Sequence, residues 1–329
     1  MKKVNPLLEV ASSYMKSRTV LTAAELDLFT LLHEQPRTSR ELAARMGLDE
    51  RALTRILDCL VTLALVEKQE NRYTPTPEGT LLSSRHAETM LPMLLHLNSI
   101  WSNWGNLTQC VRCGTNPDLH DIVNAPTEDV ARAFIGAMHA IGKGMAHDIA
   151  SSRDLGLFTN MLDIGGASGT YSAAFLKQNQ KLRATIFDLP AVIPLARALM
   201  AAEGLQDRVS FVPGDFYTDE LPGGHDLCLL SAIIHQNSPA QNSQLYQKIF
   251  RCLKPGGTLL IRDHIMDETR TNPPEGALFA LNMLVNTPGG DTYTFAEVQD
   301  TLLAAGFTDI SLARAGQKMD CLVEAKKRS

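Results

Sequence analysis

The sequence predicts an α/β protein, with a doubly wound, mostly parallel sheet that follows an N-terminal α-helical winged-helix domain. Residues 1 to about 105 have mainly helical patterns and one short β signal. From about residue 156, apolar β-like runs alternate with helical patterns, as expected of parallel strands joined by helices. A glycine-rich segment at residues 165–169 follows the first of these runs. We therefore predict a winged-helix dimerisation domain over residues 1–105 and a second, cofactor-binding domain over residues 106–329.

The winged helix is predicted within residues 38–80. Thr38 and Glu41 have the spacing of a capping box that begins one short helix, and Asp49 is placed to cap the next. Residues 66–73 then read as a small hairpin with its turn at Glu70-Asn71.

A winged helix raises the question of DNA binding, which the local charges disfavour. Between Thr38 and Thr80 there are six basic and seven acidic residues, a poor match for a phosphate backbone. We expect this domain to serve in dimerisation. A DNA-binding regulator that senses the cofactor stays open as an alternative.

The composition of the whole chain also argues against nucleic acid, membrane and metal as partners. The formal charge is −5, which gives no general attraction to nucleic acid or to acidic membranes. No apolar run is long enough for a spanning helix, and the first residues lack the pattern of a signal peptide, so we expect no membrane partner and a cytoplasmic location. The only CxxC, Cys110 with Cys113, has no second pair to complete a zinc site, and we expect no bound metal.

Acidic residues lie at or just after the carboxyl ends of three successive predicted strands. Asp163 lies in the first strand, just before the glycines, and Asp188 ends the second, where a carboxylate can accept both hydroxyls of a ribose. Asp215-Phe216 follows the third, where an acid and an aromatic ring can hold an adenine. A fourth strand ends at Ser231, and the turn at residues 253–257 leads into the fifth.

These segments in this order resemble a class I S-adenosylmethionine-dependent methyltransferase of the Rossmann-like fold. The preceding winged helix narrows the resemblance to the small-molecule O-methyltransferases, and it covers nearly the whole chain. The resemblance implies S-adenosylmethionine as cofactor. It implies that Asp163 and Gly165 flank the methionine part, that Asp188 binds the ribose, and that Asp215 with Phe216 binds the adenine. Family members often carry Lys or Arg where Ser231 stands, so one contact to the cofactor carboxylate is in doubt.

The predicted general base is His235, which lies just past the fourth strand, at the sheet edge where ligands bind. It matches the catalytic histidine of the family, although Gln236-Asn237 replaces the usual Asp-Trp. Asp263 ends the fifth strand and matches one of two acids beside the family's base, while the second acid position holds Thr292. We expect Asp263→Asn to lower turnover less than His235→Ala does. His264 is a weaker candidate, because adjacent strand side chains point to opposite faces.

The acceptor pocket is predicted to be apolar and suited to a flat ring. Asn282 and Asn286, one turn apart on a predicted helix, are candidates for hydrogen bonds to ring substituents, and Met283 matches a family position that packs on the acceptor ring. Met138 and His139, from the Met-rich linking region, are further candidates for contact with the substrate.

The sequence thus predicts a homodimeric, metal-independent enzyme that transfers a methyl group to a hydroxyl of an aromatic small molecule. One alternative keeps the cofactor but performs other chemistry, such as N- or C-methylation, hydroxylation or decarboxylation. It stays open because fold and cofactor do not determine the reaction.

Overall fold

The computed structural model describes residues 5–119 and 128–328. Within that part of the chain, the residues up to 101 form one compact unit with residues 128–140. Residues 102–119 and 141–328 form a second compact unit.

The first unit is helical apart from a small sheet. Its helices are α1 (Pro6–Glu25), α2 (Leu28–Glu34), α3 (Ser39–Met46), α4 (Glu50–Thr62), α5 (Pro77–Thr80), α6 (Leu91–Ser99) and the first part of α9 (Glu128–Ser151). Its strands, β1 (Arg37–Thr38), β2 (Val66–Gln69) and β3 (Arg72–Pro75), form an antiparallel sheet in the order β1-β3-β2.

Local signals set the bounds of these elements as predicted. Thr38 accepts from the N–H of Glu41, and the Glu41 carboxylate accepts from the N–H of Thr38, so the capping box is confirmed. Asp49 accepts from the N–H of Ala52 at 2.8 Å and caps α4. The hairpin turn has positive φ at both Glu70 and Asn71, as a tight two-residue turn requires.

The cationic side chains of the winged helix are mostly paired with acids. Ion pairs join Arg40 to Glu50, Arg45 to Glu34, Lys68 to Asp58 and Arg72 to Glu41. This pairing leaves little positive charge to meet a nucleic acid backbone.

The second unit is a layered α/β structure. Its helices are α7 (Trp101–Gly105), which begins at the boundary, α8 (Leu107–Cys113), the end of α9, α10 (Thr170–Gln178), α11 (Ile193–Ala202), α12 (Pro239–Cys252), α13 (Pro274–Asn286) and α14 (Phe295–Ala304). Its strands are β4 (Asn160–Ile164), β5 (Arg183–Asp188), β6 (Val209–Pro213), β7 (His225–Ser231), β8 (Leu253–Asp263), β9 (Ile265–Met266), β10 (Tyr293–Thr294), β11 (Thr308–Arg314) and β12 (Cys321–Lys326).

Seven of these strands form one sheet in the order β11-β12-β8-β7-β4-β5-β6. Strands β4 to β8 are parallel, so the predicted mostly parallel sheet is confirmed. The predicted turn at residues 253–257 is incorporated into β8, whose regular pairing with β7 begins at Thr258. The sequence did not reveal β11 and β12, which add an antiparallel edge.

The chain order places a crevice at one point of the sheet edge. From β4 the chain winds outward through β5 and β6, and then returns to build β7 and β8 on the other side of β4. Ligands bind outside the carboxyl ends of strands at such a switch point. Apolar side chains cover both faces of the sheet, which leaves that edge for polar groups.

Among the described residues, no helix is long and apolar enough to cross a membrane.

Candidate functional site

The segment between β4 and α10, here called the glycine turn (residues 165–169), passes close to its neighbours. Gly165 has φ +67°, and a Cβ there would lie 2.6 Å from Cδ1 of Ile233, in the loop after β7. Gly169 has φ +80° at the N-cap of α10. Only glycine fits these two positions without strain, and the turn leads into the start of a helix, where backbone N–H groups lack intrahelical partners.

The buried side chain of Asp163 packs against the glycine turn. Its side chain is 1% exposed, and Ser172 Oγ donates to its Oδ2 at 2.7 Å. A Cβ on Gly166 would lie 2.9 Å from its Cγ. Burial raises the pKa of Asp163 to about 6, and the charge of Asp188 adds to the rise while the Ser172 hydrogen bond opposes it.

We expect the stability of the Asp163→Asn variant to depend less on pH than that of the wild type. Because folding raises the pKa of Asp163 from 3.8 to about 6, the native state holds a proton that the unfolded chain has released between those values. The ionised carboxylate therefore destabilises the native state by about 2–3 kcal/mol above pH ~6, and this cost is absent below pH ~4.

Urea denaturation tests this expectation. From pH ~4 to pH ~7, the free energy of unfolding of the wild type should fall by about 2–3 kcal/mol relative to that of Asp163→Asn. Asp300→Asn, at an exposed position, is the matched control and should follow the wild type. Parallel curves for the wild type and Asp163→Asn would contradict the pKa shift.

Asp188, at the end of β5, lies at the rim of the glycine turn. Its Oδ2 accepts from the N–H of Ala167 at 2.7 Å, and its Oδ1 accepts from the N–H of Leu189 at 2.7 Å. Burial raises the pKa of this carboxyl, and the two backbone donors oppose the rise. A carboxylate oxygen accepts more than one hydrogen bond, so each oxygen retains capacity for a ligand hydroxyl.

The loop after β6 borders the other side of the glycine turn. Cε1 of Phe216 lies 3.5 Å from the position that a Cβ on Gly165 would occupy. The Phe216 and Tyr217 rings have centroids 4.6 Å apart, and Asp215 accepts from the N–H of Tyr217 at 2.8 Å. Lys248 donates to three carbonyls of this loop, at 2.8–3.0 Å, and holds its shape.

His235 and Asp263 form a buried pair at the same sheet edge. Nδ1 of His235 lies 2.9 Å from both carboxylate oxygens of Asp263, and the two residues are 9% and 0% exposed. Burial alone would raise the pKa of Asp263, but the imidazole, its hydrogen bond and the charge of Arg262 outweigh it, and the pKa lies below its ordinary value. Since a carboxylate only accepts, Nδ1 carries the hydrogen, and in the neutral ring Nε2 has the free lone pair.

The residues around this pair bear on two predictions, the missing second acid and the weaker candidacy of His264. Thr292, at the second acid position, is buried, with Oγ1 3.4 Å from the carbonyl of Gly276, and Asp291 pairs with Arg270 at 3.6 Å. Among the described residues, Asp263 is the one acid paired with His235. His264 is also buried, burial lowers its pKa, and its Nδ1 has no hydrogen-bond partner in the described part of the chain.

Helix α13 packs against the His235–Asp263 pair through Phe279. Its ring centroid lies 4.9 Å from that of His235 and 5.0 Å from that of His264. Met283 is buried one turn further along the helix. Sequence reasoning missed Phe279, although it placed this helix at the pocket.

The two predicted amides of α13 already have protein partners. Trp104 Nε1 donates to Asn282 Oδ1 at 2.9 Å, and Asn103 Nδ2 donates to Asn286 Oδ1 at 2.9 Å. Asn286 in turn donates to Asn282 at 3.0 Å. These contacts join α7 to α13, so the amides serve the structure of the helix pair, and acceptor contact by either of them stays a prediction.

The remaining predicted site residues are Ser231, at the sheet edge, and Met138 and His139, in α9. Ser231, the last residue of β7, lies at the sheet edge, and its Oγ has no hydrogen-bond partner among the described residues. Met138 and His139 lie in the part of α9 that belongs to the first compact unit, so they are outside the set that the second unit brings together. The described residues include no group of three His, Cys, Asp or Glu side chains arranged to hold a metal.

Asn237, which with Gln236 stands where the family usually has Asp-Trp, has a structural role that the sequence did not reveal. It is fully buried; its Oδ1 accepts from Tyr217 Oη at 2.6 Å and its Nδ2 donates to Asn242 at 2.9 Å. Its carbonyl accepts from Tyr293. These bonds tie the His235 loop to the loop after β6.

Comparisons with known proteins agree with this geometry. A family model of the O-methyltransferase domain matches residues 115–308, and one of the O-methyltransferase dimerisation domain matches residues 8–85. The chain is 33% identical to the tetracenomycin polyketide synthesis 8-O-methyl transferase TcmO of Streptomyces glaucescens, over 92% of this chain and 91% of that protein. It is 27% identical to the N,N-dimethyltransferase OxyT of Streptomyces rimosus, over 96% of this chain and 93% of that protein. The structure of human N-acetylserotonin methyltransferase in complex with SAM aligns with a TM-score of 0.87 at 26% identity, over 100% of both chains.

Proposed function

This chain belongs to the S-adenosylmethionine-dependent O-methyltransferases, and on that premise we propose that it methylates a hydroxyl group of an aromatic small molecule, with His235 as the general base. The family assignment establishes the enzyme class and the cofactor. The aromatic acceptor, the base and the residue roles below are our proposal.

The observation that carries the proposal is the His235–Asp263 pair beside the glycine turn. Asp263 accepts from Nδ1, so the free lone pair of Nε2 is available to take the proton of an acceptor hydroxyl. A phenol has a pKa of about 10, so a base is needed near neutral pH. The loop that carries His235 is adjacent to the glycine turn through Ile233, which brings base and cofactor site to one edge.

The residues at the edge fit the cofactor. Gly165 brings backbone close to a ligand, Asp188 retains acceptor capacity for two ribose hydroxyls, and Asp215 with Phe216 borders an adenine position. When bound, S-adenosylmethionine supplies a methyl group activated by its sulfonium, which the acceptor oxygen takes by in-line displacement. The chain's own residues orient the acceptor, hold the imidazole tautomer and accept the proton.

An aromatic acceptor suits the apolar surroundings of the base. Phe279 packs edge-on to His235, and Met283 is buried on the same helix, one turn away. Asn282 and Asn286 would contact the acceptor in our proposal if it displaces their present bonds. The similarity to TcmO, which is named for a polyketide 8-O-methyl transfer, supports O-methylation of an acceptor of the polyketide class.

The test is methyl transfer against a panel of phenols, matched anilines and ring compounds without either group, with EDTA present. We expect S-adenosylhomocysteine to form with phenols, and an O-methyl product identified by mass spectrometry. Turnover of anilines alone would favour N-methylation, the alternative that the similarity to OxyT supports. Complete loss with EDTA, restored by Mg²⁺, would contradict the metal-independent mechanism.

Asp188→Ala should weaken binding of S-adenosylhomocysteine about 10- to 150-fold, because a hydrogen bond to a charged group contributes about 1.5–3 kcal/mol. Calorimetry measures the change directly. Glu220→Ala removes an exposed carboxylate that pairs with Arg251 among the described residues, and it should bind as tightly as the wild type. Unchanged affinity in Asp188→Ala would remove this residue from the ribose site.

We further propose that the chain is a homodimer, with residues 1–105 as the dimerisation domain and residues 106–329 as the catalytic domain. Helix α1 presents a row of exposed apolar side chains, with Leu7, Val10 and Tyr14 at 77%, 75% and 58% exposure. They recur at helical spacing on one face. Such a patch favours a protein partner, and the dimerisation-domain match supports a second copy of this chain as that partner.

A charge placed in that row should separate the protomers. We expect Val10→Glu/Tyr14→Glu to sediment as a monomer at micromolar concentration, where the wild type sediments as a dimer, because burying unpaired carboxylates is unfavourable. Leu157→Glu, at a similarly exposed position in the second unit, is the control and should remain a dimer. A monomeric wild type would contradict the proposal.

A further inference from the structure

Arg262, on β8, is a buried cation that forms no ion pair with a described acid, although its charge acts on the neighbouring Asp263. Its side chain is 6% exposed, and Nη1 donates to the carbonyl of Met319 at 2.8 Å. The guanidinium lies over the ring of Tyr171, 4.9 Å from its centroid. Nε has no partner, and no carboxylate of the described residues forms an ion pair with it. Because an unpaired buried charge is costly, the site is suited to an anionic group from a ligand.

Two further polar atoms near Arg262 also lack partners. Arg262 is the register partner of Ser231 in the neighbouring parallel strand, so the two side chains leave the same face of the sheet. Tyr171 follows the glycine turn directly, in the first turn of α10. Neither Ser231 Oγ nor Tyr171 Oη makes a hydrogen bond within the described part of the chain. Arg262 therefore connects the two hydroxyl-bearing residues: its guanidinium lies over the Tyr171 ring, and Ser231 is its partner on the next strand.

The order of strands along the edge indicates which anion belongs there. Asp215 and Phe216 follow β6, Asp188 ends β5, the glycine turn follows β4, Ser231 ends β7, and Arg262 lies on β8. A cofactor with its adenine and ribose over β6 and β5 would extend across β4 with its amino-acid end toward β7 and β8. Of the charged groups in S-adenosylmethionine, the sulfonium and the ammonium are cations and only the carboxylate is an anion.

We propose that Arg262, with the hydroxyls of Tyr171 and Ser231, binds the carboxylate of the methionine part of the cofactor. Arg262 thereby selects ligands that keep this carboxylate. The inference rests on the cofactor placement given under the proposed function, but it is independent of the acceptor and of His235. The other role open to Arg262 is purely structural, namely to hold the loop before β12 through Met319.

The experiment compares two ligands by calorimetry: S-adenosylhomocysteine and its analogue without the carboxylate, S-adenosyl-3-thiopropylamine. We expect the wild type to bind the first about 10- to 100-fold more tightly, as for a charge-assisted hydrogen bond. In Arg262→Met, affinity for S-adenosylhomocysteine should fall by about that factor, while affinity for the analogue stays within about twofold, so that the preference disappears. Equal weakening of both ligands would mean a structural role and would overturn the proposal.

A charge moved to the partner strand gives an independent check. Ser231→Lys in the Arg262→Met background should restore at least part of the preference, because the cation returns to the same face one strand away. If Arg262→Met does not fold, the wild type decides alone: equal affinity for the two ligands would refute the proposal. Because no acceptor is present, this outcome is distinct from failure of the methyl-transfer panel.

Discussion

The His235→Ala variant should turn over about 10²–10⁴ times more slowly than the wild type, with its affinity for S-adenosylhomocysteine nearly unchanged. The imidazole is the base in our mechanism, and its removal leaves the acceptor hydroxyl to ionise unaided. The loss should therefore shrink as the pH rises toward the phenol pKa of about 10. The wild-type pH–rate profile should have an acid limb, where the imidazole is protonated, and the variant should lack it.

Controls separate this role from general damage. His147→Ala removes an exposed imidazole and should leave turnover unchanged. His264 is the competing candidate, since it is buried against the same Phe279 ring. If His264→Ala, rather than His235→Ala, loses the acid limb, the base is His264. If neither variant loses it, the general-base mechanism is wrong, and other chemistry on the same cofactor becomes the better interpretation.

Asp263→Asn should lower turnover by about 10²–10⁴-fold, nearly as much as loss of the base. Oδ1 of Asp263 accepts from the N–H of His264 at 2.8 Å as well as from His235. In the variant, the N–H of His264 keeps the amide oxygen as its acceptor. The NH₂ group then takes the place of Oδ2 and lies beside Nδ1 of His235. An NH₂ group in the place of Oδ2 favours the tautomer whose Nδ1 accepts and whose proton is on Nε2, and that tautomer cannot act as a base.

Steady-state kinetics and calorimetry together test this expectation. S-adenosylhomocysteine should bind to Asp263→Asn within about twofold of the wild type, since Asp263 faces the imidazole. Turnover within about threefold of the wild type would show that tautomer control is unimportant here. Such a result would also restore the milder expectation that the sequence alone supports.

Local sequence signals determined much of the fold. The Thr38–Glu41 capping box, the Asp49 cap and the Glu70-Asn71 turn act over two to four residues, so their outcome depends little on the rest of the chain. The alternation of apolar runs and helical patterns likewise determined the parallel strands, because βαβ connections leave few arrangements. The strand-end acids and His235 could be assigned to one edge because parallel strands direct their carboxyl ends there.

What the tertiary structure decided depends on contacts between residues far apart in the chain. Asn237 has no sequence signal for its role until Tyr217, Asn242 and Tyr293 surround it. The amides of α13 look like substrate ligands in sequence, yet residues 103 and 104 supply their partners. Arg262 reads as one more strand residue until the fold buries it, with no ion pair to a described acid, near two hydroxyls that lack hydrogen-bond partners in the described part of the chain. Periodicity specifies which face a residue occupies, whereas the sign and position of the charges facing it are set only when distant strands and helices pack together.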